Sequence, residues 1–197
     1  MAQGKKESNS LAQLSALNEE SETLNVIIDT PKGSRNKFEF DETQGLFKLR
    51  GVLPVGASFP FDFGFIPSTK GGDGDPLDAL VLMDEPAFPG CLIEARLIGV
   101  IEAEQTEEGE TERNDRLIAV AAESRIHEDV RSLEDLNDHL IDEIEHFFIS
   151  YNQAKGKVFK PEGRGGPERA MEVLNEGLKN RRTRHANPAR SKTNKGK

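Results

Sequence analysis

The chain has 197 residues, 35% of them hydrophobic and 31% charged, with a single cysteine and no tryptophan. That length suits one domain with a core that needs no staples, and Cys91 alone excludes an intramolecular disulfide framework. The net charge of −9 is unevenly spread: residues 181–197 carry seven Lys/Arg and no acid, which leaves −16 (−9 less the tail's +7) for residues 1–180. So acidic a body is a poor surface for nucleic-acid backbones. Only the basic tail is a candidate for RNA or an acidic partner, and a solubilising role explains it as well. With no apolar run long enough for a signal peptide or a membrane span, the expectation is a soluble, cytoplasmic protein with no membrane contact.

Residues 1–22 are polar and expected to be disordered, as is the basic segment 181–197; residues 23–180 form one domain without internal repeats. Its first two thirds contain short β-type runs: LNVIID from Leu24, KFEFD from Lys37, GLFKLR from Gly45, ALVLM from Ala79, CLIEARLIGVIEAE from Cys91 and RLIAVAA from Arg116. Period-2 alternation sets Phe38 and Phe40 on one face of the first hairpin and Lys37, Glu39, Lys48 and Arg50 on the other. Taken alone, that charged face reads as solvated, with cross-strand ion pairs. Residues 105–115 (QTEEGETERND) read as a charged hairpin loop.

Helix signals come late. Ser132 and Asp135 have capping-box spacing, and Leu133, Leu136, Leu140, Ile144, Phe147 and Phe148 follow at helical intervals. A second helix is expected from Pro167 through Met171, Leu174 and Leu178. Strands first and helices last predict an α+β fold, a small barrel flanked by helices.

The chemistry concentrates in 70-KGGDGDPLDALVLMDE-85, where Asp73, Asp75 and Asp78 fall within one turn that opens a strand. An EF-hand needs an acid or amide at position five and glycine at six, where Leu77 and Asp78 stand. A phosphoaspartyl enzyme needs an apolar strand ending at the first Asp, and SFPFDFGFIPSTKGG precedes Asp73 instead. The remaining reading is a multi-magnesium site for phosphoryl chemistry, because Mg²⁺ takes carboxylates, water and substrate phosphate together. Gly74 relieves crowding and Asp75–Pro76 sets a rigid turn.

The run D-G-D-P-L-D, Asp73 to Asp78, resembles the core motif of the soluble family I inorganic pyrophosphatases. The likeness spans roughly Asn25 to Leu178: NVIIDTP, NKFEFD, LFKLR, FPFDFGFIP, DGDPLDALVL, PGCLIEARLIGVI, RLIAVAA and HFFISY occur in the family's order. It implies a five-stranded OB-like β-barrel with flanking C-terminal α-helices, and Mg²⁺-dependent hydrolysis of pyrophosphate to two phosphates. It also implies a homo-oligomer, in this family a hexamer. Asp73, Asp75 and Asp78 would hold the metals, Asp78 as the shared ligand and Asp75 as acceptor of a proton from the attacking water. Lys37, Arg50, Arg116 and Tyr151 would grip phosphate, Arg116 standing where the family has lysine, and Glu39 would share the cavity. Asp29 replaces a glutamate of the family as a further metal ligand, with a shorter arm. A phosphohydrolase for another phosphoanhydride, and a non-catalytic phosphate- or RNA-binding module, are the rival functions.

Three further departures from the family's pattern stand out. The family places two further metal-ligand aspartates in the 105–115 loop; the second slot is Asn114 here, with Asp115 one residue on. A loop bulge would restore Asp115 to the site, and Glu107 is the candidate for the other acid. Phe59, Phe63 and Phe65 stand where the family shows tyrosines, in a chain with eleven phenylalanines and one tyrosine. Asn152 replaces a lysine, with Lys155 and Lys157 nearby. Tyr151 also fits a plain helix-face aromatic beside Phe147 and Phe148.

Overall fold

The computed structural model describes residues 11–18, 20–21 and 23–185. Ten strands and two α-helices occur among them, in the order β1 (Leu17–Asn18), β2 (Thr23–Thr30), β3 (Asn36–Asp41), β4 (Leu46–Val52), β5 (Asp62–Phe65), β6 (Asp78–Leu82), β7 (Leu92–Glu107), β8 (Glu110–Arg113), β9 (Arg116–Ala121), α1 (Asp138–Gln153), β10 (Val158–Gly165) and α2 (Pro167–His185). Strands β2, β5, β6, β9 and β7 pair in that order, and β7 pairs back to β2, which closes a five-stranded ring. Closure leaves the ring no free edge. All its pairings are antiparallel except β6 with β9. The expected barrel is therefore present. The hairpin β3–β4 stands apart as a two-stranded sheet, and β8 and β10 extend β7.

Alternation along the strands feeds two apolar clusters. Ala79 and Val81 of β6 join Val26, Leu97, Val100 and Leu117 under Ala170, Val173 and Leu174 of α2. Leu80 and Leu82 point the other way, to Phe59, Phe63, Ile98 and Ile118 beneath Ile141, Ile144 and Phe148 of α1. Both faces of β6 are thus covered, so its four apolar residues are fully buried. Met171 is 39% exposed, and the buried stripe of α2 instead runs through Ala170, Val173 and Leu174.

Strand β5 was hidden by the glycine and proline content of FPFDFGFIP. Its glycine is what lets it pair, since a Cβ on Gly64 would lie 2.1 Å from the Ile27 carbonyl oxygen of β2. The Ser132–Asp135 capping box does form, with Asp135 Oδ2 accepting from the Ser132 N–H at 2.8 Å. It caps a 3₁₀ turn, Leu133–Asp135; Leu136 is extended, and α1 starts afresh with Asn137 Oδ1 accepting from His139 N–H.

Disorder through residue 22 does not hold for residues 11–18. Ala12 and Ala16 are 1% and 3% exposed, β1 pairs with β2, and Leu11 and Leu14 pack with Phe40, Phe47 and Phe65. These small apolar side chains repay the ordering of a short segment that composition alone marks as polar. At the other end α2 continues to His185, past the expected start of the tail at 181. Residues 1–10 and 186–197, where the remaining disorder was expected, lie outside the described residues. Among the described residues no helix is long and apolar enough to cross a membrane.

Candidate active site

The Asp73–Asp78 turn is built to hold carboxylates apart yet close. Gly74 takes φ +92°, a conformation that excludes most side chains, and Asp75 N–H donates to Asp73 Oδ1 at 3.1 Å. Thr69 pins the base of the loop, donating to the Ile66 carbonyl at 2.6 Å and accepting from Leu77 N–H at 3.0 Å. Ser68, at φ +56°, is held by the N-terminal segment through the Ala12 and Leu14 carbonyls. Asp78 then opens β6 opposite Arg116 of β9, and the parallel register brings Arg116 Nη1 to 2.7 Å from Asp78 Oδ2.

This turn forms one side of a cleft of about 310 Å³. Asp29, Lys37, Glu39, Asp73, Asp75 and Asp78 line it, and so do Arg116, Tyr151, Asn152, Lys155 and Lys157. Nearly all the residues singled out in the sequence therefore converge. Lys37 is buried, 3.7 Å from Asp29 Oδ2 and 4.1 Å above the Phe63 ring. Burial holds the Lys37 ammonium below its usual range, against the pull of Asp29. Burial likewise raises Asp29 to about 7, with Lys37 opposing. It raises Asp73 to about 6, helped by the charges of Asp78 and Asp75, and pushes Asp75 up, helped by Asp78 and Glu39.

Tyr151 accepts from Lys155 Nζ, and its ring lies against Phe59 and Phe147. Burial raises the Tyr151 phenol, so it stays a neutral donor, and burial lowers Lys155. Both readings of Tyr151 hold at once: its ring packs on the α1 face and its edge lines the cleft. Phe63 and Phe65 line the cleft too, whereas Phe59 is 1% exposed behind it.

Three expectations need correction. Asp115 is not brought into the cleft. The register of the chain against β7 runs unbroken here, Arg113 facing Glu104 and Arg116 facing Ile101, so no bulge turns Asp115 round. Its oxygens accept from Ala103 N–H at 3.1 Å and Arg113 Nε at 2.6 Å instead. Asn114 faces the cleft in its place. Arg50 lies on the rim: a bulge between Lys37 and Phe38 displaces it, and it pairs with Glu39 at 3.2 Å, both half exposed. Glu107 pairs with Lys157 at 2.6 Å and does not line the cleft. Gln105 does line it and was missed; Ile101, Ala103 and Gln105 share one face of β7, so the alternation carried the signal. Asn152 is buried, its amide donating to the Phe148 carbonyl at 2.9 Å, which leaves Lys155 and Lys157 as the cations at this end.

The donor set suits a hard divalent cation. Asp73, Asp75 and Asp78 supply carboxylate oxygens, and Asp29 Oδ1 is buried without a partner, an unmet need that a cation or its water shell would satisfy. Among the described residues no three acids, histidines or cysteines close on one point by themselves. An ion that keeps several waters and takes ligands from substrate phosphate needs no such cage.

A closed five-stranded barrel with a carboxylate turn at its mouth, facing lysines and a buried arginine, defines a protein built to meet metal–phosphate ligands. The family model described as inorganic pyrophosphatase matches residues 26–182, and the chain belongs to that family. Inorganic pyrophosphatases of Synechocystis and Geobacillus stearothermophilus are 41% and 40% identical over 157 residues, 80% of this chain and 90% and 93% of theirs. The crystal structure of the Thermus thermophilus inorganic pyrophosphatase superposes with a TM-score of 0.80 at 35% identity, covering 88% of this chain and 99% of that one. The Helicobacter pylori enzyme gives 0.77 at 34%, covering 84% and 97%. The family is metal-dependent.

Proposed function

We propose that this chain hydrolyses inorganic pyrophosphate to two phosphates with Mg²⁺, in the cytoplasm and as a homo-oligomer, the hexamer expected from the family. The observation that carries the activity is the two-sided cleft: Asp73, Asp75 and Asp78 on one side, Lys37, Arg116, Tyr151 and Lys155 around the rest. Asp73, Asp75 and Asp78, with Asp29 beside them, would hold Mg²⁺, which when bound would supply charge neutralisation and a water acidic enough to ionise near neutral pH.

The chain's own groups do the positioning. Lys37, Arg116 and Lys155 neutralise phosphate oxygens, and Tyr151 donates a hydrogen bond that its high pKa preserves. Glu39 keeps Arg50 at the rim, where the pair meets the outer phosphate. Asp75, whose basicity burial raises, takes the proton as the water oxygen bonds to one phosphorus. The bridging P–O bond breaks and its electron pair leaves with the second phosphate, stabilised by the cationic side of the cleft. Replacing Asp75 by asparagine tests this. Phosphate release from pyrophosphate should fall by about a hundredfold or more while the fold persists; an Asp75→Asn protein as active as wild type refutes the assignment.

A further inference from the structure

Gln105 and Asn114 line the cleft beside Arg116, and the three side chains form a fixed relay. A guanidinium only donates, so the bond from Arg116 Nη1 sets Asn114 Oδ1 as the atom turned toward it. Asn114 Nδ2 then donates to Gln105 Oε1 at 3.2 Å. With that oxygen occupied, what Gln105 offers a ligand is its Nε2 donor. Arg116 itself is 4% exposed, and its Nε is buried without a partner, an unmet donor behind the same wall. Arg116 Nη1 also bonds Asp78 Oδ2, so a positive nitrogen already bridges Asp78 and Asn114. A cation joining these two side chains would have to sit in that gap. Apart from Asp78, which Arg116 already engages, the wall carries no carboxylate and offers donors, a surface that takes anionic oxygen directly and has no second carboxylate for a divalent ion.

We infer that Gln105, Asn114 and Arg116 form a cation-free oxyanion subsite, which binds one phosphoryl group of a diphosphate directly and confines divalent cations to the Asp73–Asp78 side. The identity of the ligand rests on the proposed function; the division of the cleft rests on the relay. Asn114 acts as a positioning residue for Arg116, and Gln105 as a contact to phosphate.

The test counts Mn²⁺ bound per chain by electron paramagnetic resonance, with imidodiphosphate present as a diphosphate that resists hydrolysis. Wild type is compared with Asn114→Asp, with the Gln105→Asp/Asn114→Asp double variant and with Gln105→Ala. The carboxylate variants should hold at least one more Mn²⁺ per chain than wild type. Gln105→Ala should keep the wild-type count and bind imidodiphosphate about five- to tenfold more weakly. Equal counts in wild type and the carboxylate variants, or unchanged affinity in Gln105→Ala, overturn the inference. Asn114→Asp and Gln105→Ala keep the test decisive if the double variant does not fold. No turnover is needed. A wild type inert toward pyrophosphate but showing the expected counts and affinities removes the activity and supports the subsite. An active wild type with equal counts removes the subsite and leaves the activity.

Discussion

Replacing Lys37 by methionine separates the work this buried lysine does for the fold from what it does for the ligand. Lys37 is 3.7 Å from Asp29, and both are almost wholly enclosed. Orphaning one member of a buried ion pair usually costs about 3–5 kcal/mol, because a charge is left without compensation. Asp29 has another course open, since burial has already lifted it from 3.8 to about 7. Burying a carboxyl with that unfolded value as the neutral acid costs about 4 kcal/mol at pH 7, and the wild-type fold already bears nearly all of it. Without Lys37 the carboxyl simply completes its protonation, and the methionine fills the apolar path of the lysine stem over Phe63. The expected loss of stability is therefore below about 1 kcal/mol. Binding is different. An ammonium-to-phosphate hydrogen bond contributes about 1.5–3 kcal/mol, so imidodiphosphate should bind about ten- to a hundredfold more weakly. Urea unfolding at pH 7 without divalent cations reads the first quantity, and titration calorimetry the second. A stability loss of about 3–5 kcal/mol would refute the reasoning, since Asp29 would then be staying ionised in the fold.

Phe63→Tyr adds a hydroxyl to a cleft-lining ring that now lies under Lys37 Nζ. A gained charge-assisted hydrogen bond should raise pyrophosphate turnover by about tenfold, and unchanged kinetics would mean that the site is organised around phenylalanine. Asp78→Asn strips Arg116 of its 2.7 Å carboxylate partner as well as removing a metal ligand. Mg²⁺ affinity should drop by about tenfold or more, and a calorimetric titration matching wild type would count against Asp78 as a ligand. For pH, the metal-free fold holds protons on Asp29 and Asp73 that the unfolded chain has released above the reference value of 3.8. Their contribution to stability is fully present below that value and is lost as pH rises through about 6 to 7. Melting curves without metal should show this fall, flattened in Asp29→Asn, while Mg²⁺ affinity rises over the same window as protons cease to compete. A metal-free melting point that does not change across the window contradicts the burial of these acids.

What the sequence made legible was whatever strand or helix periodicity governs. Each of the six β-type runs has all but at most one residue in an observed strand, and alternation placed Lys37 and Glu39 on one face, where both line the cleft. The D-G-D-P-L-D run needed no tertiary information, because the turn makes its own geometry. The misses are places where a local rule met a long-range one. Strand β5 exists because Gly64 admits the Ile27 carbonyl, a contact between residues distant in sequence. Arg50 left the cleft through a bulge in the hairpin, and Asp115 stayed out because the expected bulge is absent. Bulges are settled by pairing with a partner strand, which composition does not reveal. The order of residues 11–18 rests on two small buried alanines within a polar stretch, too weak a pattern to read without the surface they cover.

The most direct test of the account is phosphate release from pyrophosphate by the wild-type chain, followed with Mg²⁺, without it and in the presence of a chelator. The account predicts two phosphates per pyrophosphate consumed, release that depends on Mg²⁺, and none above background once the metal is removed. Absence of Mg²⁺-dependent release from folded protein, or release that persists in the chelator, would contradict it.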